Sequence, residues 1–422
     1  MEKKGIKNWE KGSSIIKSGE KRTTVRAVRA TMSMLHKQLN PDDDRVVIPL
    51  GHGDPSPFQC FRPPVAAVDA IVDALRSSRF NGYAYPTGFP SAKKAVAEYI
   101  SRDLPYTLSE SDVCITVGCK QAVHAIISSL ASPGSNILLP MPTFSMYDAC
   151  SAVCGVEVRH YNLLPEKEWE VDLHSVEALA DENTVAIVLI NPGNPCGSVY
   201  THQHLENVAK VAEKLGLLVI ADEVYEHITF GDTPFVRMGA FALKAPVLTI
   251  GSISKRWLVP GWRIGWLVTT DPNGILQKSE LMERIKAFLE VASDPTSFIQ
   301  GALPEILETT KDEFFSNVNN ILRQDADIIY EKLKKIPSIS CPNKPQGSMF
   351  VMVKLDVSLL DDIEDDTEFC LKVAKEEKVL ILPGSALGMK NWLRITFALE
   401  PLVLKDGLER IDGFCQRHSK VV

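Results

Sequence analysis

Nowhere in the 422-residue chain does an apolar run approach the ~18 residues needed to span a bilayer. The longest, VAIVLI at 185–190 and LLVIA at 217–221, have the length of strands, so no transmembrane helix is expected. A large excess of one charge is also missing. The 46 Lys and Arg against 53 Asp and Glu leave a net charge of −7, the wrong sign for a general grip on nucleic acid or anionic lipid. That balance points to a small ligand. Low-complexity blocks and internal repeats are absent, and 25 Gly with 26 Pro are too few for a collagen-like or disordered polymer.

Cysteine is not scarce, but the nine residues lack the spacing of a disulfide framework, which predicts a reducing compartment. Cys150 and Cys154 have no second CxxC or HxxxH motif beside them, so no metal site is expected. His202 and His204 lie two apart on a helix-like stretch, point to different faces, and are read as surface residues. The first thirty residues mix basic side chains with Glu2, Glu10 and Glu20 and have neither an apolar segment nor a small-residue cleavage site. The chain ends Ser419-Lys-Val-Val422, which is no peroxisomal tripeptide, so a cytoplasmic location is the expectation.

What the chain does have is a regular alternation of short β-rich runs with helical stretches. Strands are expected at 113–117, 135–139, 156–161, 184–190, 217–221 and 247–250, with helices such as 175–181 and 202–215 between them. This predicts an α/β fold whose large domain has a central, mostly parallel sheet flanked by helices. Helices are also expected at 63–75 and 91–102, and a single long one at 305–335. Strands at 349–354 and 393–397 with helices at 366–377 and 404–417 predict a smaller, discontinuous α+β domain, joined by a strand at 46–50. The expected division is an extended N-terminal arm over 1–45, a small domain from 46–75 and 326–422, and a large domain over 76–325.

Ligands of open parallel sheets collect beyond the carboxyl ends of the strands, so the residues just after each expected strand are informative. They read Asn191-Pro-Gly-Asn-Pro-Cys-Gly197, Asp222-Glu-Val-Tyr225 and Gly251-Ser-Ile-Ser-Lys255. A lysine there loses hydration, its pKa falls, and the neutral amine can condense with a carbonyl. Each residue taken alone also has an ordinary structural reading. Asp222 and Asn194 would be helix caps, Tyr225 a core residue, Arg263 and Arg394 surface ion-pair partners, and Gly118 and Gly53 turn residues. Their joint occurrence at strand ends favours a site.

These segments, together with Leu163-Leu-Pro-Glu-Lys-Glu-Trp169 and the run Gly251-Ser-Ile-Ser-Lys-Arg-Trp-Leu-Val-Pro-Gly-Trp-Arg-Ile-Gly-Trp266, resemble the fold-type I pyridoxal 5′-phosphate (PLP) aminotransferases. The resemblance is to the tyrosine aminotransferase group of plant type and extends over residues 49–418. It implies that Lys255 holds PLP as an aldimine and then moves the substrate's α-proton. By the same resemblance Asp222 pairs with the pyridine nitrogen, Asn194 and Tyr225 bond the ring hydroxyl, and Phe144 in Pro142-Thr-Phe-Ser-Met-Tyr147 stacks on the ring. Ser252, Arg263 and the backbone amides of Gly118, Cys119 and Lys120 would hold the phosphate. Tyr83, in Gly82-Tyr-Ala-Tyr-Pro-Thr-Gly88, would reach the phosphate of a neighbouring subunit, with Tyr85 a nearby competitor, which implies a homodimer with a shared site. Arg394, in Asn391-Trp-Leu-Arg-Ile-Thr396, would fork onto the substrate carboxylate beside Asn194 and the Gly53 N–H. The implied reaction moves the amino group of an aromatic L-amino acid, tyrosine favoured, to a 2-oxo acid such as 2-oxoglutarate by a ping-pong mechanism. A carbon–sulfur lyase acting on cysteine S-conjugates and a nicotianamine aminotransferase are the alternatives on the same fold.

Overall fold

The computed structural model describes residues 28–420; the first 27 residues of the arm expected over 1–45 lie outside the described residues. The large sheet has eight strands: β1 (Val113–Thr116), β2 (Asn136–Met141), β3 (Glu157–Leu164), β4 (Glu170–Val171), β5 (Thr184–Ile190), β6 (Leu218–Asp222), β7 (Val247–Ser252) and β8 (Gly265–Thr270). Their order is β1-β8-β7-β6-β5-β2-β3-β4. The central strands pair in parallel, whereas β8 runs antiparallel to both β7 and β1. That reversal has a geometric consequence. The C-terminal ends of β1, β2, β5, β6 and β7 and the N-terminal start of β8 all emerge on one edge of the sheet.

The strands β6, β7 and β8 are buried along their whole length, as expected where helices cover both faces of a sheet. The pleat sends alternate residues to opposite layers. Cys114 and Leu267 pack with the helices Gly118–Leu130 and Leu281–Val291, while Val113, Ile115, Trp266 and Val268 pack with Pro90–Ser101 and Ser297–Thr309.

A second, antiparallel sheet contains β9 (Ile339–Ser340), β10 (Phe350–Leu355), β11 (Leu382–Pro383) and β12 (Trp392–Thr396), in the order β11-β12-β10-β9. The helices Asp366–Glu377 and Pro401–Arg417 lie on it, with the Phe369 and Phe414 rings meeting edge to face at 5.4 Å. The segment expected as a strand at 46–50 touches this sheet through one isolated bridge, Ile48 to Val379, and through the Thr396 N–H, which donates to the Leu50 carbonyl at 2.7 Å. It forms no strand, because the chain turns at Gly51 where Met32 crowds in: a Cβ on Gly51 would meet Met32 Sδ at 2.9 Å.

Three further expectations fail for identifiable reasons. Residues 28–36, assigned to the extended arm, form the helix Val28–His36, with Thr31, Met32 and Leu35 on one buried face. The single long helix expected at 305–335 is two, Ser297–Thr309 and Asp312–Leu333. The break falls at Thr310 and Lys311, directly before the acidic Asp312 and Glu313 that suit a new helix N-terminus. His204, read as a surface residue, is buried beside Leu205 and Val208 and accepts a hydrogen bond from the Val171 N–H at 3.0 Å, whereas His202 is exposed.

Candidate active site

The strand-end residues meet on the common edge. Register puts Gly265 between Ser252 on one side and Thr116 on the other, so the starts of the loops after β7 and β1 lie next to the start of β8. The chain leaves β1 through Val117 into the helix Gly118–Leu130, whose N-cap offers no side-chain hydrogen bond. The first-turn N–H groups of that helix are therefore open. Arg263 lies across them, donating to the Val117 carbonyl at 3.1 Å and to the Pro260 carbonyl at 2.7 Å. Gly118 has φ +65°, and a Cβ there would meet Arg263 Nη2 at 2.5 Å. Gly265 is equally constrained, since its Cβ would meet Gly118 Cα at 2.8 Å. Open amides, a helix N-terminus and a guanidinium make an anion cradle. Ser252 is buried beside it and caps the short turn that carries Lys255, accepting from the Ser254 N–H at 3.2 Å.

Lys255 is partly buried and its Nζ donates to the Gly53 carbonyl. Burial pulls its ammonium down to about 8, an effect opposed by Asp54 and reinforced by Arg394. The Nζ lies 5.8 Å from the centre of the Tyr225 ring. Asp222, at the end of β6, is buried and accepts from the Tyr147 hydroxyl at 2.9 Å and the Val224 N–H at 3.3 Å. Burial raises its carboxyl to about 6, with those two hydrogen bonds acting in the opposite sense. Burial also raises the phenol of Tyr225, with Arg394 opposing. Behind Ser252, burial pushes the Cys119 thiol up to about 12, and Asp222 adds to the shift.

Arg394 arrives from β12 of the second sheet. Its Nη2 donates to the Gly51 carbonyl at 2.8 Å and its Nη1 to Asn194 Oδ1 at 3.4 Å, with the guanidinium over the Phe350 ring at 4.5 Å. The side chain is 4% exposed, yet its Nε has no partner. Burial lowers its pKa to about 10, with no carboxylate close by to offset it. A buried guanidinium with an unused donor and no carboxylate partner could receive a carboxylate.

Of the expected residues, Lys255, Asp222, Tyr225, Asn194, Arg394 and Gly53 come together around one space, and Ser252, Arg263, Gly118, Cys119 and Lys120 form the cradle beside it. The Gly53 carbonyl, rather than its N–H, makes the recorded contact, as the acceptor for Lys255. Phe144 is partly buried in the loop after β2. Tyr83 is 98% exposed and Tyr85 64%, so the chain itself brings neither ring into the site. Tyr147 was missed by the sequence reading, although it closes the same motif as Phe144; its pairing with Asp222 spans 75 residues and leaves no local signature. His52 was missed too. It stacks edge on with His36 at 5.5 Å, and burial, His36 and Arg394 hold its imidazole below the usual range. A cavity of ≈ 310 Å³ lies between the helix Val28–His36, the loop after β2 and residues 383–388, but Lys255, Asp222 and Arg394 do not line it.

The family model for aminotransferase class I and II matches residues 45–411. The chain belongs to that family. Among curated relatives, nicotianamine aminotransferase 1 of Oryza sativa subsp. japonica is 54% identical over 97% of this chain and 82% of its own length. The S-alkyl-thiohydroximate lyase SUR1 of Arabidopsis thaliana is 50% identical over 98% of this chain and 88% of its own. The crystal structure of tyrosine aminotransferase from Leishmania infantum superposes with a TM-score of 0.87 at 31% identity, covering 92% of this chain and 96% of that one. Aminotransferases of this class use PLP and act on amino acids and 2-oxo acids. Among the described residues of this aminotransferase, no helix is long and apolar enough to cross a membrane.

Proposed function

We propose that this aminotransferase transfers the amino group of an aromatic L-amino acid, tyrosine first, to a 2-oxo acid such as 2-oxoglutarate, in ping-pong order. The observation that carries the reading is the pairing of a depressed Lys255 amine with a buried Arg394 whose Nε is free, across one space edged by Asp222. The donor set suits PLP. The uncapped helix N-terminus at Gly118, with Arg263 and Ser252, would hold a phosphate. Asp222, oriented by Tyr147, would accept from a protonated ring nitrogen, and Asn194 and Tyr225 would bond the ring hydroxyl while Phe144 covers a face. When bound, PLP supplies an electron sink for the pair left on the substrate α-carbon.

The protein's own residues do the rest. Arg394 orients the α-carboxylate, which places the α-hydrogen toward Lys255. Lys255 Nζ, depressed to about 8, is unprotonated often enough near neutral pH to accept that proton and return it. We take the small domain to comprise 46–75 and 326–422 and the large one 76–325, so that Gly53 and Arg394 close on Lys255 as the domains approach. The exposed Tyr83 suits a homodimer in which it completes the phosphate site of the other subunit.

The lyase relative supports a second reading, cleavage of a cysteine S-conjugate to a thiol, pyruvate and ammonia, and the 54% identical relative a third, with nicotianamine as donor. One titration separates them. The visible absorption band of the purified protein is followed after adding L-tyrosine, nicotianamine or a cysteine S-conjugate, each without a 2-oxo acid. Stoichiometric bleaching by tyrosine, restored by 2-oxoglutarate, is the expected result. Bleaching by nicotianamine alone, or steady thiol and pyruvate release with the band regenerated, would replace tyrosine with the corresponding alternative.

A further inference from the structure

The segment Asp222-Glu-Val-Tyr-Glu226 has two faces. Asp222 and Tyr225 look into the site, while Glu223 and Glu226, 2% and 1% exposed, enter a buried ionic cluster on the far side. Arg237 is its centre, with Nε 3.0 Å from Asp103 and Nη1 3.0 Å from Glu223 and 2.5 Å from Glu226. The second Glu223 oxygen accepts from the Met238 N–H at 2.8 Å. Lys255 and Arg256 divide in the same way: Lys255 faces the site, and Arg256 turns behind it onto the Phe315 ring at 4.3 Å. The two segments meet at Tyr99. Its hydroxyl donates to Glu226 Oε1 at 2.7 Å and accepts from Arg256 Nη1.

We propose that Glu226, Tyr99 and Arg256 form a brace behind the active site that fixes the separation of Tyr225 and Lys255, and that the three are positioning residues for transamination. The proposal rests on the roles given above to Lys255 and Tyr225. Glu226 is covalently next to Tyr225 and Arg256 next to Lys255, so one hydroxyl ties together two site residues carried just after different strands. The link is directional, running from Arg256 through Tyr99 to Glu226, and Arg237 locks its far end. Hydrogen bonds in a buried network reinforce one another, and the chain from Arg256 through Tyr99 to Glu226 is continuous, although Arg256 Nε and Arg237 Nη2 are left without a partner. Two further groups flank it: His227, paired with Asp103 at 2.7 Å, and Arg102, whose guanidinium lies 5.9 Å from the centre of the Tyr99 ring.

The test uses the full-length protein loaded with cofactor, comparing wild type with Tyr99→Phe, Glu226→Gln, Arg256→Lys and Arg256→Met. Three quantities are read: the midpoint of the pH titration of the visible band, kcat and KM for donor and acceptor, and the thermal unfolding midpoint. A Tyr225 hydroxyl that drifts from the ring lowers the spectral midpoint less, so Tyr99→Phe and Glu226→Gln are expected to raise it by about half a pH unit or more. Their kcat is expected to fall about tenfold, the scale of a small misplacement of reacting groups, with KM within about twofold. Arg256→Lys, which keeps the cation, should recover most of what Arg256→Met loses. Folded Tyr99→Phe and Glu226→Gln with a lower thermal midpoint but wild-type spectral midpoint and kcat would overturn the brace and leave the cofactor reading standing. If Glu226→Gln does not fold, Tyr99→Phe decides, since it removes one oxygen only. Wild type without a visible band would overturn the cofactor reading and the brace with it.

Discussion

The Asp222–Glu226 segment separates two buried charged regions that solve the same problem in opposite ways. Behind it, Arg237 is met by Asp103, Glu223 and Glu226 and its pKa rises despite complete burial, although burial still lifts the Glu223 carboxyl to about 7 against the pull of Arg237. In front, Asp222 is pushed to about 6, Lys255 to about 8 and Arg394 to about 10, each toward its neutral form because burial is not matched by a partner of opposite charge. Burying charge is tolerated better where opposite charges meet. The front cluster is thus an unfinished set of interactions, a cation short at Asp222 and an anion short at both Arg394 and the Arg263 cradle. A protonated ring nitrogen, a substrate carboxylate and a phosphate would complete it.

The largest break in that comparison comes from Lys255→Ala. Turnover with tyrosine and 2-oxoglutarate is expected to fall by about three orders of magnitude or more, since both nucleophile and proton carrier are lost; steady-state assays near wild-type rates would refute the assignment. Next come the two arginines, exchanged for Met. Arg237→Met strands Glu223 and Glu226 and is expected to cost about 3–5 kcal/mol in urea unfolding. Arg394→Met leaves the Gly51 carbonyl and Asn194 Oδ1 without a donor but strands no charge, so its stability loss should be clearly smaller, while the KM for the amino acid rises by the equivalent of about 1.5–3 kcal/mol. Equal stability losses in both would mean that the front is as fully paired as the back.

A third prediction concerns pH. Asp222 has a folded pKa raised to about 6 from 3.8, so between those values the folded protein keeps a proton that the unfolded chain has released. Stability of the cofactor-free protein should therefore decline as pH rises from about 4 to about 6, by about 3 kcal/mol from this group. Asp222→Asn should flatten that decline in urea titrations across the range; an unchanged slope would show that Asp222 is already paired. The smallest effect is expected from Tyr147→Phe. Loss of one hydrogen bond to Asp222, about 1.5 kcal/mol, should weaken cofactor retention by about tenfold in equilibrium dialysis, with little change in the thermal midpoint.

Strand ends were legible because the apolar runs that form β5, β6 and β7 stop at polar residues, and a parallel sheet directs those residues to one edge. Asp222, Lys255 and Asn194 could be singled out on that ground alone, and Arg263 and Arg394 through the motifs that carry them. The helix Val28–His36 was harder to see, because its buried face of Thr31, Met32 and Leu35 is narrow and gains partners only through tertiary packing, against Gly51, the helix Asp366–Glu377 and residues 382–387. His204 was misread for a similar reason: which face of the helix His202–Leu215 turns inward depends on the strand it covers.

Local pattern by itself determined the alternation of strands and helices, the parallel sheet, and the chemistry at its edge, since strand and helix periods and strand-end residues are properties of neighbours along the chain. Only the tertiary structure decided which distant groups share an environment. It set Tyr147 on Asp222, Gly51 and Gly53 against Arg394 and Lys255, and Tyr99 between Glu226 and Arg256. Burial and the balance of charge are sums over everything packed nearby, and they separate a cluster in which opposite charges meet from one in which they are held apart.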